Sequence, residues 1–74
     1  MEEQNGKKER LEKARKEKEF VKLTFKYPSI FGLTYKRGYV LMCFNDSFAF
    51  NEIYDGNSNY SYDYLVNIEP AKIR

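Results

Sequence analysis

The sequence contains no histidine and no tryptophan, one cysteine, two prolines and four glycines in 74 residues. Without histidine there is no imidazole to act as a base beside a nucleophile. Nor is there a cysteine and histidine set to hold zinc. With Cys43 as its single thiol, the chain cannot form an internal disulfide. Cys43 lies in the apolar run Tyr39-Val40-Leu41-Met42-Cys43-Phe44, which predicts a buried thiol rather than a nucleophile or a metal ligand. A free cysteine also fits a reducing compartment. The glycines are scattered and each has a turn explanation, so no glycine-rich phosphate loop is present. The His-Arg-Asp loop of a kinase is missing too. No stretch approaches the ~18 apolar residues of a membrane span, and no apolar N-terminal run reads as a signal peptide. The expectation is a cytoplasmic or nuclear protein that is not an enzyme, with no cofactor, no metal and no membrane contact.

What is present is unevenly placed. Residues 1–19 hold 13 of the 24 formal charges and no aromatic residue, whereas all 13 tyrosines and phenylalanines lie in residues 20–74. The chain therefore reads as a charged helical arm, 1–19, followed by one small aromatic domain, 20–74. Domains of this size bury little surface and often need a partner or a staple. The net charge of +2 gives no strong bias toward polyanions.

The arm has the composition of a solvated helix. Glu9 with Lys13 and Glu12 with Lys16 are acid-before-base pairs four residues apart, each contributing roughly 0.2–0.5 kcal/mol. Asn5 could cap its start. Leu11, Ala14 and Val21 fall at helical spacing, a stripe too thin to dock firmly. The arm is thus expected to be an exposed helix or linker. A helix lying along the domain and a nucleic-acid-binding arm are the alternatives, the latter weakened by six glutamates among seven bases.

From Phe20 the period changes. Val21, Leu23, Phe25 and Tyr27 alternate with Lys22, Thr24 and Lys26, a half-buried strand that Pro28 ends. Leu33-Thr34-Tyr35 begins the next strand, and Lys36-Arg37-Gly38 is read as a hairpin connection. Tyr39–Phe44 is apolar on both faces, which predicts a central, covered strand. Asn45-Asp46-Ser47 turns the chain, Phe48–Tyr54 returns, and Asp55-Gly56 is a strong hairpin signal. Asn57–Tyr64 and a short Leu65–Ile68 complete a meander of about five antiparallel strands. The predicted fold class is α+β, with Leu33, Val40, Met42, Phe44 and Phe50 facing one buried layer. Asp46, Glu52, Asp55 and Asp63 are the carboxylates that acid–base work would draw on, but Asp46 and Asp55 sit at turns where Asp bonds its own backbone, and no catalytic carboxylate is expected. Tyr60, Tyr62 and Tyr64 form a stripe that could stack on bases, yet no Lys or Arg occurs between Arg37 and Lys72, so packing at a core edge is the preferred reading.

One ordered set of residues resembles a known family. Tyr27, Phe31-Gly32-Leu33 with Tyr35, then Gly38, Val40, Met42 and Phe44-Asn45-Asp46-Ser47, and last Asp55-Gly56, are similar to the opening of a polo box, the non-catalytic targeting module of polo-like kinases. The resemblance implies a polo-box-like sheet without the long C-terminal helix of the family, hence a fragment or a reduced domain. It implies a protein-interaction module that binds a partner peptide or a second copy of itself. It places a peptide-binding groove along the first strand, at Thr24, Phe25, Lys26 and Tyr27, where an extended segment would add as a strand. Thr24 falls where phosphopeptide-reading members carry tryptophan, and no histidine is available for a phosphate, so binding is expected to be indifferent to phosphorylation. The competing reading puts Phe25 and Tyr27 in the core. The other function classes are a truncated structural remnant and a small β-sheet nucleic-acid-binding protein.

Overall fold

A computed structural model describes residues 2–72. The charge-rich segment forms α1 (Glu2–Glu17), and the alternating segments form β1 (Val21–Phe25), β2 (Thr34–Cys43), β3 (Ser47–Glu52), β4 (Gly56–Ser61) and β5 (Leu65–Pro70). A single 3-10 turn, Tyr62–Tyr64, joins β4 to β5. The class is α+β: one helix followed by a five-stranded sheet of order β4-β3-β2-β1-β5, with every pairing antiparallel. Asn5 lies inside α1 and does not cap it.

The connection between β4 and β5 dictates the shape of the sheet. These are the two outermost strands, and in a flat sheet they would lie four spacings apart, about 19 Å. A three-residue turn cannot comfortably bridge that, so the sheet curls. Ring contacts across non-neighbouring strands show the result. Phe25 on β1 meets Phe48 on β3 at 6.4 Å between centroids and Tyr60 on β4 at 5.2 Å. Three flat spacings would be about 14 Å. The concave face holds the core: Val21, Leu23, Phe25, Val40, Phe48, Phe50, Tyr62 and Leu65, with Leu11 and Ala14 of α1 closing it.

Two devices on β2 produce the curl, and both depart from the sequence reading. Residues 36–38 make no hairpin, because β2 runs unbroken from Thr34 to Cys43. Gly38 pairs with Val21 on one side and Glu52 on the other. A Cβ there would fall on the carbonyl group of Asn51, so the glycine permits close backbone approach rather than a reverse turn. The second device is a bulge. Val40 pairs with Phe50, but Met42 pairs with Ala49 and Cys43 with Phe48. Leu41 is therefore extra, and every later side chain changes face. Val40 and Phe50 are buried as expected, whereas Leu33, Met42 and Phe44 are about half exposed. The end of β2 is not covered on both faces.

The arm is part of the fold. Leu11 and Ala14 are completely buried against the sheet, where the small alanine lets the helix backbone come close. Charged neighbours assist from the sides: Lys7 Nζ donates to the Tyr62 carbonyl at 3.0 Å, and Arg10 makes two bonds to Glu19 at 3.0 and 3.2 Å. Aliphatic stems of such residues cover apolar surface while their heads stay wet, so counting apolar residues understated the stripe. Lys18, at φ 53°, ends the helix. Lys18 N–H donates to the Arg15 carbonyl at 3.2 Å and Glu19 N–H to the Ala14 carbonyl at 2.9 Å, the paired bonds of a Schellman cap built without its usual glycine.

Candidate functional site

Strand β1 offers no free edge to an added peptide strand. It pairs with β2 on one side and with β5 on the other, so its backbone groups are already used. Thr24 is buried between Tyr35 and Asn67, and Phe25 is wholly enclosed. The Lys26 N–H donates to the Tyr64 carbonyl at 2.8 Å. The expected addition of a strand along Thr24–Tyr27 is thus excluded by the return of β5, a non-local pairing that no local pattern announces. For Phe25 and Tyr27 the core reading holds. Tyr27 is half-buried, stacked on Phe25 at 5.7 Å and tilted on Tyr64 at 5.2 Å. Burial raises its phenol pKa, with Lys36 acting in the opposite direction.

Lys26 and Tyr27 lead directly into a different surface. Pro28 stops β1, Ile30 N–H donates to the Tyr27 carbonyl at 3.2 Å, and Gly32, at φ 93°, redirects the chain into β2. Between them Phe31 stands fully in solvent, at 106% relative exposure. Ile30 and Leu33 are half exposed beside it. Lys26, Tyr27, Pro28, Ser29, Ile30, Phe31 and Gly32 line an open cleft whose far wall is Tyr64 and Val66. The bulge opposite Thr24 and Phe25 leaves Val66 unpaired with β1 and about half exposed. Lys26 is the sole charged residue in this lining. The site therefore combines apolar side chains of two segments far apart in sequence with one cation. The sequence did signal part of it, since Ser29-Ile30-Phe31-Gly32 is an apolar bend, and an apolar bend has no strand periodicity to bury it.

Candidate groups elsewhere have structural work. Glu52 is buried, and its Oε1 accepts the Tyr54 N–H at 3.0 Å and the Asp55 N–H at 2.6 Å, fixing the β3–β4 turn. Asp55 lies 3.6 Å from Lys36 Nζ, and Asp46 and Asp63 are exposed. Among the described residues no three His, Cys, Asp or Glu side chains converge as a metal site. Cys43 is half-buried rather than enclosed, and burial, reinforced by Glu12, raises its thiol pKa and so keeps it protonated. Tyr60, Tyr62 and Tyr64 do not form a strand stripe, because β4 stops at Ser61. Tyr60 and Tyr62 pack on Phe48, and the Tyr62 hydroxyl donates to the Phe44 carbonyl at 2.8 Å. Tyr60 and Tyr62 are thus taken up by the core, whereas Tyr64 stays partly exposed at the cleft. Among the described residues no helix is long and apolar enough to cross a membrane.

The class of protein defined to this point is a small α+β domain with a curled antiparallel sheet and an apolar cleft at the β1–β2 loop. Comparison with family models, with curated proteins and with solved structures gives no match.

Proposed function

We propose that this chain is a non-catalytic protein-interaction module that grips a partner segment in the cleft between the β1–β2 loop and the start of β5. The observation that carries the reading is Phe31, a phenylalanine wholly in water, flanked by half-exposed Ile30 and Leu33 and lining one cleft with Val66. Single exposed apolar residues are ordinary, but a contiguous apolar cluster around a cleft marks an interaction surface. Aromatic anchors are the side chains that dominate binding at such surfaces. Lys26 in the lining favours a partner segment with an acidic group beside its apolar anchors. The sequence resemblance of Tyr27 to Gly56 to a polo box points to the same class of function, a targeting domain without chemistry of its own, with the departure that residues 36–38 form no turn and Met42 and Phe44 are exposed. Because the cleft lining contains one cation and no histidine, phosphorylating a bound peptide should change its affinity by less than about fivefold, roughly 1 kcal/mol.

Selection of a displayed random-peptide library on the immobilised chain tests this. Enriched peptides should carry aromatic or aliphatic anchors near an acidic residue, and their affinity should fall at least about tenfold on Phe31→Ser. Failure to enrich any peptide, or equal binding by wild type and Phe31→Ser, would refute the proposal.

A further inference from the structure

We infer that the segment the β1–β2 cleft takes is a proline-rich stretch in the polyproline II conformation, with an acidic residue beside the prolines. The inference deepens the cleft reading and rests on it. The first observation is the kind of apolar surface in the lining. Tyr27, Phe31 and Tyr64 are aromatic rings, and Pro28 lies among them. Tyr27 and Tyr64 touch at 5.2 Å between centroids with 47° between their planes, so they make one continuous bent ring surface. Phe31, wholly in solvent, adds a third ring open to a ligand. Aromatic-lined grooves are where proline-rich segments dock.

The second observation is the sense of the polar groups. Lys26 offers an ammonium, a donor only, and Tyr27, Ser29 and Tyr64 offer hydroxyls. No carboxylate and no side-chain amide lies in the lining. Among the described residues the Tyr27 and Tyr64 hydroxyls have no hydrogen-bond partner, in contrast to Tyr62, whose hydroxyl donates to the Phe44 carbonyl at 2.8 Å. The cleft therefore presents donors that lack acceptors. A run of prolines is the complementary backbone, because it has carbonyl acceptors and no N–H groups. Other backbone forms answer the lining less well. An extended segment needs a ladder, but β1 pairs on both sides, the Lys26 N–H is held by the Tyr64 carbonyl at 2.8 Å, and the β5 wall is bulged at Val66. A helix bonds its carbonyls to its own N–H groups and leaves the phenols unanswered. Polyproline II makes no internal hydrogen bonds, and its stiff chain loses little entropy on docking. Lys26, the one charge in the lining, then selects an acidic neighbour of the prolines.

The test is fluorescence anisotropy on the full chain with two labelled peptides, six prolines or six alanines, each preceded by an aspartate. The proline peptide should bind at least about tenfold more tightly than the alanine peptide. Replacing its aspartate with lysine should weaken it roughly threefold. Tyr27→Phe and Tyr64→Phe keep the rings and remove the hydroxyls. Both should melt like wild type, while each weakens the proline peptide roughly threefold. Phe31→Ser should abolish its binding. Equal affinity for the two peptides overturns the inference, as does proline binding that both Tyr→Phe variants leave unchanged. If the displayed library then yields Phe31-dependent peptides without proline, the cleft reading stands and the proline assignment alone falls. Proline binding that survives Phe31→Ser places the ligand elsewhere and overturns the inference as well.

Discussion

The helix and the β1–β2 loop invert what their compositions suggest. Residues 2–17 are dominated by charge, yet Leu11 and Ala14 are as buried as any residue in the molecule. The loop brings together Ile30, Phe31 and Leu33, and all three lie in water or half in water. The difference teaches that position relative to the curled sheet decides burial here. Two apolar residues three apart are enough for a helix that lies over an open concave face. Three are not enough for a bend that projects beyond the strand ends, past the stop imposed by Pro28. An apolar cluster left outside a completed core is surface the fold does not need, and this is why function is sought there.

The largest expected effect breaks the comparison on the helix side. Leu11→Ala should cost about 2–5 kcal/mol, the range for emptying a fully enclosed leucine site. Leu33→Ala should cost less than about 1 kcal/mol, since Leu33 is half exposed already. Denaturant titrations of the two variants check this, and equal losses would mean that helix and loop are equally part of the core. Next in size is Gly38→Ala. The added methyl meets the backbone of Asn51, and relieving it must open the curl that the helix covers, at about 1–3 kcal/mol. A variant with unchanged melting would show that the close approach of β2 and β3 is not what shapes the sheet.

The turn between β4 and β5 sharpens the comparison, because it links the core to the cleft wall. Tyr62→Phe removes the bond to the Phe44 carbonyl at a cost of about 1 kcal/mol. Burial raises the Tyr62 pKa above its ordinary value of 10.0, with Cys43 adding to the rise. The folded state therefore holds its proton where the unfolded state has lost it. The stability tied to that proton is complete below pH about 10 and declines as pH rises further. Alkaline melting curves should fall less steeply for Tyr62→Phe than for wild type; parallel curves would contradict the assignment. A smaller gain is expected at the helix end. Lys18 holds a left-handed conformation that glycine adopts without steric cost, so Lys18→Gly should stabilise by about 0.5–1 kcal/mol. Thermal melting reads this directly, and a loss would mean that the lysine side chain supports the cap.

Much of the architecture was legible locally. The period change at Phe20, the Asn45-Asp46-Ser47 turn and the Asp55-Gly56 hairpin all fall where strands begin and end. The hairpin has a three-residue loop, with Gly56 at φ 84°. Illegible features were those set by distant partners. Gly38 looks like a turn glycine until β3 is placed beside it. Met42 and Phe44 alternate correctly with Val40 until the Leu41 bulge turns them outward. Thr24 and Phe25 look like an edge until β5 returns to pair with β1. The candidate site was half visible: Lys26 and Tyr27 do border the cleft, but its anchor at Phe31 and its far wall at Val66 are brought together by the pairing of β5 with β1.

Phe31→Ser should change stability by no more than about 0.5 kcal/mol, as for any substitution in open water, so binding can be read without a folding artefact. The most direct measurement is therefore amide chemical-shift mapping of the wild-type chain with a display-selected peptide. The cleft reading predicts shifts concentrated in residues 26–33, 64 and 66, and their loss in Phe31→Ser. Shifts concentrated on β2 and β3 instead, with residues 26–33 unmoved, would contradict it.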